Sequence, residues 1–103
     1  MPVTSFCEWT AEPHPETKRK ARVWFGHNDQ PMFAFAGIWR PGESGPFMSF
    51  LTCEPNATVG AVHSKAMPVM LDPHSFNKWL EDDVATVCEL AVPYPDESVM
   101  VLA

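Results

Sequence analysis

Short apolar runs separated by polar turns dominate the first half of the chain. Val3 to Trp9 (VTSFCEW) is β-branched and aromatic and predicts a strand. Glu12 to Lys20 (EPHPETKRK) is polar, holds two prolines and ends in three consecutive basic residues, so it predicts a long loop. Arg22 to His27 (RVWFGH) predicts a second strand, and Asn28-Asp29-Gln30-Pro31 supplies turn chemistry after it. Met32 to Trp39 (MFAFAGIW) is apolar at every position, the pattern of a central strand covered on both faces. Arg40 to Pro46 (RPGESGP) predicts a loop, and Phe47 to Cys53 (FMSFLTC) a fourth strand.

The second half changes period. Glu54-Pro55-Asn56-Ala57 opens a short helix running to Ala61, with Pro55 near its first position. Pro68 to Leu71 returns to strand. Asp72 is placed to cap a second helix, in which Phe76, Trp79 and Leu80 share one face at i, i+3 and i+4. Asp82 to Ala91 predicts a third helix with Val84, Val87, Cys88 and Ala91 on one side, stopped by Pro93-Tyr94-Pro95. Ser98 to Leu102 predicts a closing strand. The sum is an α+β domain: a mainly antiparallel, partly barrel-like β-sheet with two or three short helices in its second half.

A chain of 103 residues accommodates one hydrophobic core and not two. Eleven prolines keep the helices short and the loops numerous. With 46% hydrophobic and 19% charged residues the chain is too apolar for an acidic disordered tail. The net charge of −6 opposes a simple non-specific DNA binder but leaves room for a basic groove on an acidic body. No run approaches the about 18 apolar residues of a membrane span. Residues Met1 to Trp9 lack a basic leader and contain Glu8, so a signal peptide is not expected. Cys7, Cys53 and Cys88 are odd in number and widely spaced, which predicts reduced thiols in a cytoplasmic protein. The Asn56-Ala57-Thr58 sequon then carries no glycosylation meaning.

Candidate chemistry is sparse. Glu8 lies between Cys7 and Trp9; it either faces solvent in the strand's alternation or turns inward beside apolar neighbours and serves as a general acid or base. His63 follows the first predicted helix and is either a surface residue or a catalyst. Lys65 is one of seven basic side chains, and Thr52 is by default a β-former. No P-loop, Ser/His/Asp order, cofactor motif or metal-ligand spacing is present, and His14 and His74 lack ligand partners, so no cofactor and no metal are expected.

The string from Phe50 to Leu71, FLTCEPNATVGAVHSKAMPVML, together with Phe6-Cys7-Glu8-Trp9 and Phe35-Ala36-Gly37-Ile38-Trp39, resembles the SOS response-associated peptidase family (SRAP, also DUF159). The resemblance runs over nearly the whole chain. It implies a DNA-damage-response protein that senses abasic sites in single-stranded DNA and forms a DNA–protein crosslink, with a hydrolase label in the family name. Family members attack the ring-opened abasic aldehyde with the amine and thiol of an N-terminal cysteine. A family glutamate falls on Glu8 as a proton shuttle and a family histidine on His63, which assists ring opening or bond exchange. Lys65 and Thr52 fall on DNA-contacting positions. The resemblance thus implies that Glu8 and His63 share one concave pocket, within about 10 Å of each other.

The chain departs from the pattern in length. A family domain is about twice as long, and the half with the terminal cysteine would precede Met1. Residue 2 is Pro2 and Cys7 is internal. The spacing from His63 to Pro68 is also one residue longer than in some members. Residues 1–103 therefore read as a single SRAP-like fragment that binds single-stranded or abasic-site DNA weakly, through Lys65, Thr52 and the Lys18-Arg19-Lys20 loop, and lacks crosslinking activity. The alternative is an inactive remnant or a structural, self-associating domain. Apolar faces with Trp24, Phe25, Phe33 and Phe35 predict a homodimer; no membrane partner is expected.

Overall fold

The computed structural model describes residues 1–102. Ten short strands and three short helices follow in order: β1 (Pro2–Val3), β2 (Phe6–Trp9), β3 (Arg22–His27), β4 (Phe33–Phe35), β5 (Gly37–Arg40), β6 (Phe47–Phe50), β7 (Thr52–Cys53), α1 (Ala57–Gly60), β8 (Met67–Pro68), β9 (Met70–Leu71), α2 (Phe76–Glu81), α3 (Val84–Cys88) and β10 (Val99–Val101). Every strand pair is antiparallel. The architecture is α+β as the sequence predicts, and no barrel closes among the described residues.

Most predicted strands are real but bent. The segment from Met32 breaks at Ala36 into β4 and β5, that from Phe47 breaks at Leu51 into β6 and β7, and the third breaks at Val69 into β8 and β9. The halves then pair in rotation: β4 with β9, β5 with β6, and β7 with β8. At the centre the three break residues close a ring of backbone hydrogen bonds. Ala36 donates to Val69 at 2.9 Å, Val69 to Leu51 at 2.9 Å, and Leu51 to Ala36 at 3.0 Å. Ala36 and Val69 are fully buried there, so these amides need protein partners. A small residue at 36 lets three backbones converge. Val3 to Trp9 is likewise split, β1 pairing with β4 and β2 with β3.

The core lies between the β10-β3-β2 sheet and this three-way junction. Phe6 stacks on Phe25 with ring centroids 5.3 Å apart and meets Phe35 edge-on at 5.6 Å. Val59 of α1, Met67, Met70, Tyr94 and Val99 complete it. A second cluster, Ala36, Val69 and Leu71, is covered by Phe76 and Trp79 of α2. The predicted α2 face therefore holds at Phe76 and Trp79, while Leu80 remains exposed.

A polar chain pins the C-terminal segment to the sheet. His27 Nδ1 accepts the amides of Asp29 and Gln30 at 3.0 and 3.2 Å. That fixes the proton of the neutral ring on Nε2, which donates to the Tyr94 hydroxyl at 3.0 Å. Tyr94 in turn donates to Asp72. Burial, then this carboxylate, push the Tyr94 phenol far above its ordinary range. Asp72 does not cap a helix through its side chain as expected: a 3-10 turn follows it, and its carboxylate is taken by Tyr94.

Two further expectations are corrected. The helix predicted over Asp82 to Ala91 is confined to Val84–Cys88, capped by Asp83, with Val84 and Cys88 in water. Met32 to Trp39 is not central throughout: β4 is in the core, but Ile38, Trp39 and Arg40 of β5 and every residue of β6 are exposed. The hairpin they form meets the core through Phe50, whose ring lies 5.1 Å from that of Phe35, and is exposed over the rest of its length. The radius of gyration, 15.2 Å, accordingly exceeds the about 13 Å of a compact chain this long.

Candidate functional site

Strand β2 carries the first site residue. Directly opposite partners in an antiparallel pair share a face, and Phe6 faces Phe25 while Glu8 faces Val23. Glu8 therefore lies on the same side as the buried Phe6, one strand repeat nearer the rim, and not on the solvent face. Cys7 and Trp9 occupy the other side.

His63 is positioned by α1. Asn56 caps this helix by accepting the Val59 amide at 2.9 Å, and its own amide group donates to the Tyr94 carbonyl at 2.7 Å. Fully buried Val59 anchors the turn, and the amides of Val62 and His63 both donate to its carbonyl. The ring emerges toward β2, and His63 Nε2 comes to 3.8 Å from Glu8 Oε2. That is too long for a direct hydrogen bond. It is close enough for a carboxylate and an imidazole to act on the same small group. Both side chains are partly open to solvent, with 29% of His63 and 22% of Glu8 exposed.

His63 also lines a groove of about 720 Å3 with Trp9, Arg19, Lys20, Ser64 and Lys65. Three of the seven basic residues of an acidic chain thus converge on one concavity. Trp9 is half exposed, and the Arg22 guanidinium lies 5.6 Å from its ring centroid. The loop supplying Arg19 and Lys20 is closed on itself: the Thr10 hydroxyl accepts the Ala21 amide, and His14 and Arg19 share a backbone bond. Lys18 sits in the left-handed region, φ 57°, at its tip.

His63 therefore stands 3.8 Å from Glu8, inside the expected span, and lines the groove together with Lys65, whereas Glu8 is not among the groove's lining residues. Thr52 is exposed on β7 opposite Pro68 and is not among the groove's lining residues. Arg19 and Lys20 of the expected basic loop enter the groove, and Trp9 joins them although no sequence expectation assigned it. The consecutive basic run was the signal for Arg19 and Lys20; nothing in the string marked Trp9. Cys53, half-buried on β7, has its thiol pushed up by burial and by the charge of Glu54, and is poorly suited to nucleophilic work. No metal-ligand cluster occurs among the described residues.

A family model described as SOS response associated peptidase (SRAP) matches residues 1–103. Among solved structures, a Bacteroides thetaiotaomicron protein is similar over all of this chain and 48% of its own, at 23% identity and a TM-score of 0.82. A Bordetella bronchiseptica protein is similar over all of this chain and 53% of its own, at 16% identity and a TM-score of 0.72. The chain thus spans about half the length of these structures, which share its fold. No curated protein matches it.

Proposed function

The chain belongs to the SRAP family, and from that membership and the groove we propose that it binds single-stranded DNA, abasic sites included. The observation that carries this reading is the gathering of Arg19, Lys20 and Lys65 beside Trp9 and the Glu8–His63 pair. Lysine and arginine neutralise the backbone, and an exposed indole offers a stacking surface to an unpaired base. Thr52 is kept as a hydrogen-bond donor toward a strand that continues past the groove.

Glu8 and His63 are the proposed proton-transfer pair. Opening an abasic sugar moves the proton of its C1′ hydroxyl away while O4′ gains one, with no net loss. Two groups held 3.8 Å apart suit that exchange, one accepting while the other delivers. Covalent capture is not part of the proposal for residues 1–103, read as a single SRAP-type fragment. Cys7 is internal to β2 and the Met1 amine is hydrogen-bonded to Phe35. The setting we propose is cytoplasmic, in keeping with three free thiols. We add a second copy of the chain as a further partner.

Anisotropy of a labelled single-stranded oligonucleotide, with and without an abasic site, tests the reading. Binding is expected at low salt and should weaken in Arg19→Ala and Lys65→Ala. Absence of binding at low salt, or equal binding by both variants, would overturn it.

A further inference from the structure

The sequence placed self-association on Trp24, Phe25, Phe33 and Phe35, but the three phenylalanines are buried within the chain's own core. The apolar side chains left in water concentrate on the β5–β6 hairpin. Trp39 is 69% exposed, Phe47 57% and Met48 71%, with Ile38 and Phe50 beside them. The Phe50 end of the hairpin rests on the core, its ring 5.1 Å from that of Phe35, while Trp39, Phe47 and Met48 toward the loop are exposed on both faces. Two strands without a covered face are marginal on their own in water.

We infer that this hairpin is the contact surface of a symmetric homodimer, in which the outer edge of β6 pairs antiparallel with β6 of a second copy. A two-fold axis between Met48 and Ser49 sets Phe47 opposite the copy's Phe50 and joins the hairpins into a four-stranded sheet. The edge fits this use. Phe47-Met48-Ser49-Phe50 contains no lysine, no proline and no charge, the devices that normally blunt an edge. Three other edges are blunted: β1 begins with Pro2, β2 carries Glu8, and the Trp79 indole donates to the Gly37 carbonyl at 2.9 Å on β5.

The hairpin is also pre-formed. Its loop holds Gly45 at φ +123°, and a Cβ at Gly42 would stand 2.2 Å from the Phe47 ring, so only glycine lets the loop lie on that ring. The Arg40 guanidinium lies 5.3 Å from the other part of the same pairing, the Phe47 ring centroid. Little conformational freedom remains to be lost on docking.

Charge favours a second copy. Residues 37–50 carry only Arg40 and Glu43, so the surface is neutral on a chain of net charge −6. Nucleic acid and anionic lipid find nothing there to neutralise. An uncharged edge is matched by its own copy.

The inference rests on the self-association proposed above and not on the DNA groove, none of whose lining residues lies on the hairpin. Sedimentation equilibrium of the whole chain at micromolar concentration tests it. A species of twice 11.5 kDa is expected, falling to 11.5 kDa in Met48→Lys and in Trp39→Glu, with association weakened at least about tenfold. Leu80→Lys, at an exposed apolar position on α2, should leave the dimer intact. A wild-type monomer would overturn self-association itself. A dimer that survives Met48→Lys, or one lost in Leu80→Lys, would overturn the assigned surface alone. Met48 lies outside the core, so its variant reports on association and not on folding.

Discussion

Glu8 and Trp9 are adjacent in the chain and do different work, because a strand sends neighbours to opposite faces. Glu8 shares the inner face with Phe6 and meets His63; Trp9 stands at the groove wall under Arg22. Lys65→Ala should therefore lower DNA affinity by a similar factor for every sequence and reduce the slope of log affinity against log salt by about one. Binding titrations at several salt concentrations measure that slope. Tyr94→Phe is a test of another kind. It removes a hydroxyl that accepts from His27 and donates to Asp72, leaving both partners short of a bond in a half-buried setting. A loss of about 1–2 kcal/mol is expected in urea unfolding, with no change in the groove's salt slope.

At the scale of elements, caps decide which short helices persist. α1 has four residues and cannot be stable through propensity. Its stability comes from buried Val59 and from Asn56, whose side chain serves both the helix and the Tyr94 carbonyl. Asn56→Ala should cost about 2 kcal/mol or more, the sum of a cap and a buried bond. Asn56→Asp keeps the cap acceptor but loses the donor, and should still destabilise the chain in the same urea assay. α3 depends on Asp83, whose carboxylate accepts the Thr86 amide at 2.8 Å. That bond, first among its causes, holds the Asp83 carboxyl below its ordinary range. A carboxyl lowered on folding stabilises the fold above the unfolded range, about 3.9. The contribution is lost as pH falls through the folded value. The protection of the Thr86 amide, its exchange rate taken relative to that of an unstructured amide at the same pH, should accordingly fall on acidification, and Asp83→Asn, which keeps the acceptor without the charge, should flatten that dependence.

For the whole molecule, charge is the dominant consideration. A body of net charge −6 repels DNA, while the groove offers three cations. Affinity should therefore be weak and steep in salt, falling by roughly tenfold or more between 50 and 200 mM for three or four phosphates neutralised. Binding that is flat over this range would exclude an electrostatic groove. Residues 1–103 should also give no adduct with abasic DNA that survives denaturation without borohydride, because a thiazolidine needs an amine and a thiol on neighbouring carbons and the lysines of the groove supply only amines. Denaturing gels of the mixture provide the measurement, and an adduct formed as fast as by a full-length relative would refute it.

Strand and helix positions were legible in the chain because they depend on local pattern. Arg22–His27, the Pro-rich loop before it, the start at Asn56 and the apolar pair Phe76 and Trp79 all follow from spacing and turn chemistry. The candidate site residues Glu8, His63 and Lys65 were legible only through family resemblance, since a lone glutamate or histidine carries no period. Tertiary structure decided the rest. The bends at Ala36, Leu51 and Val69 leave no local signature, because they exist only where three backbones exchange hydrogen bonds. Those bends turn β5 and β6 out of the core, so an apolar run that reads as a central strand ends as an exposed hairpin. Asp72 was lost to prediction for the same reason: its partner, Tyr94, lies 22 residues away, beyond the reach of any local pattern.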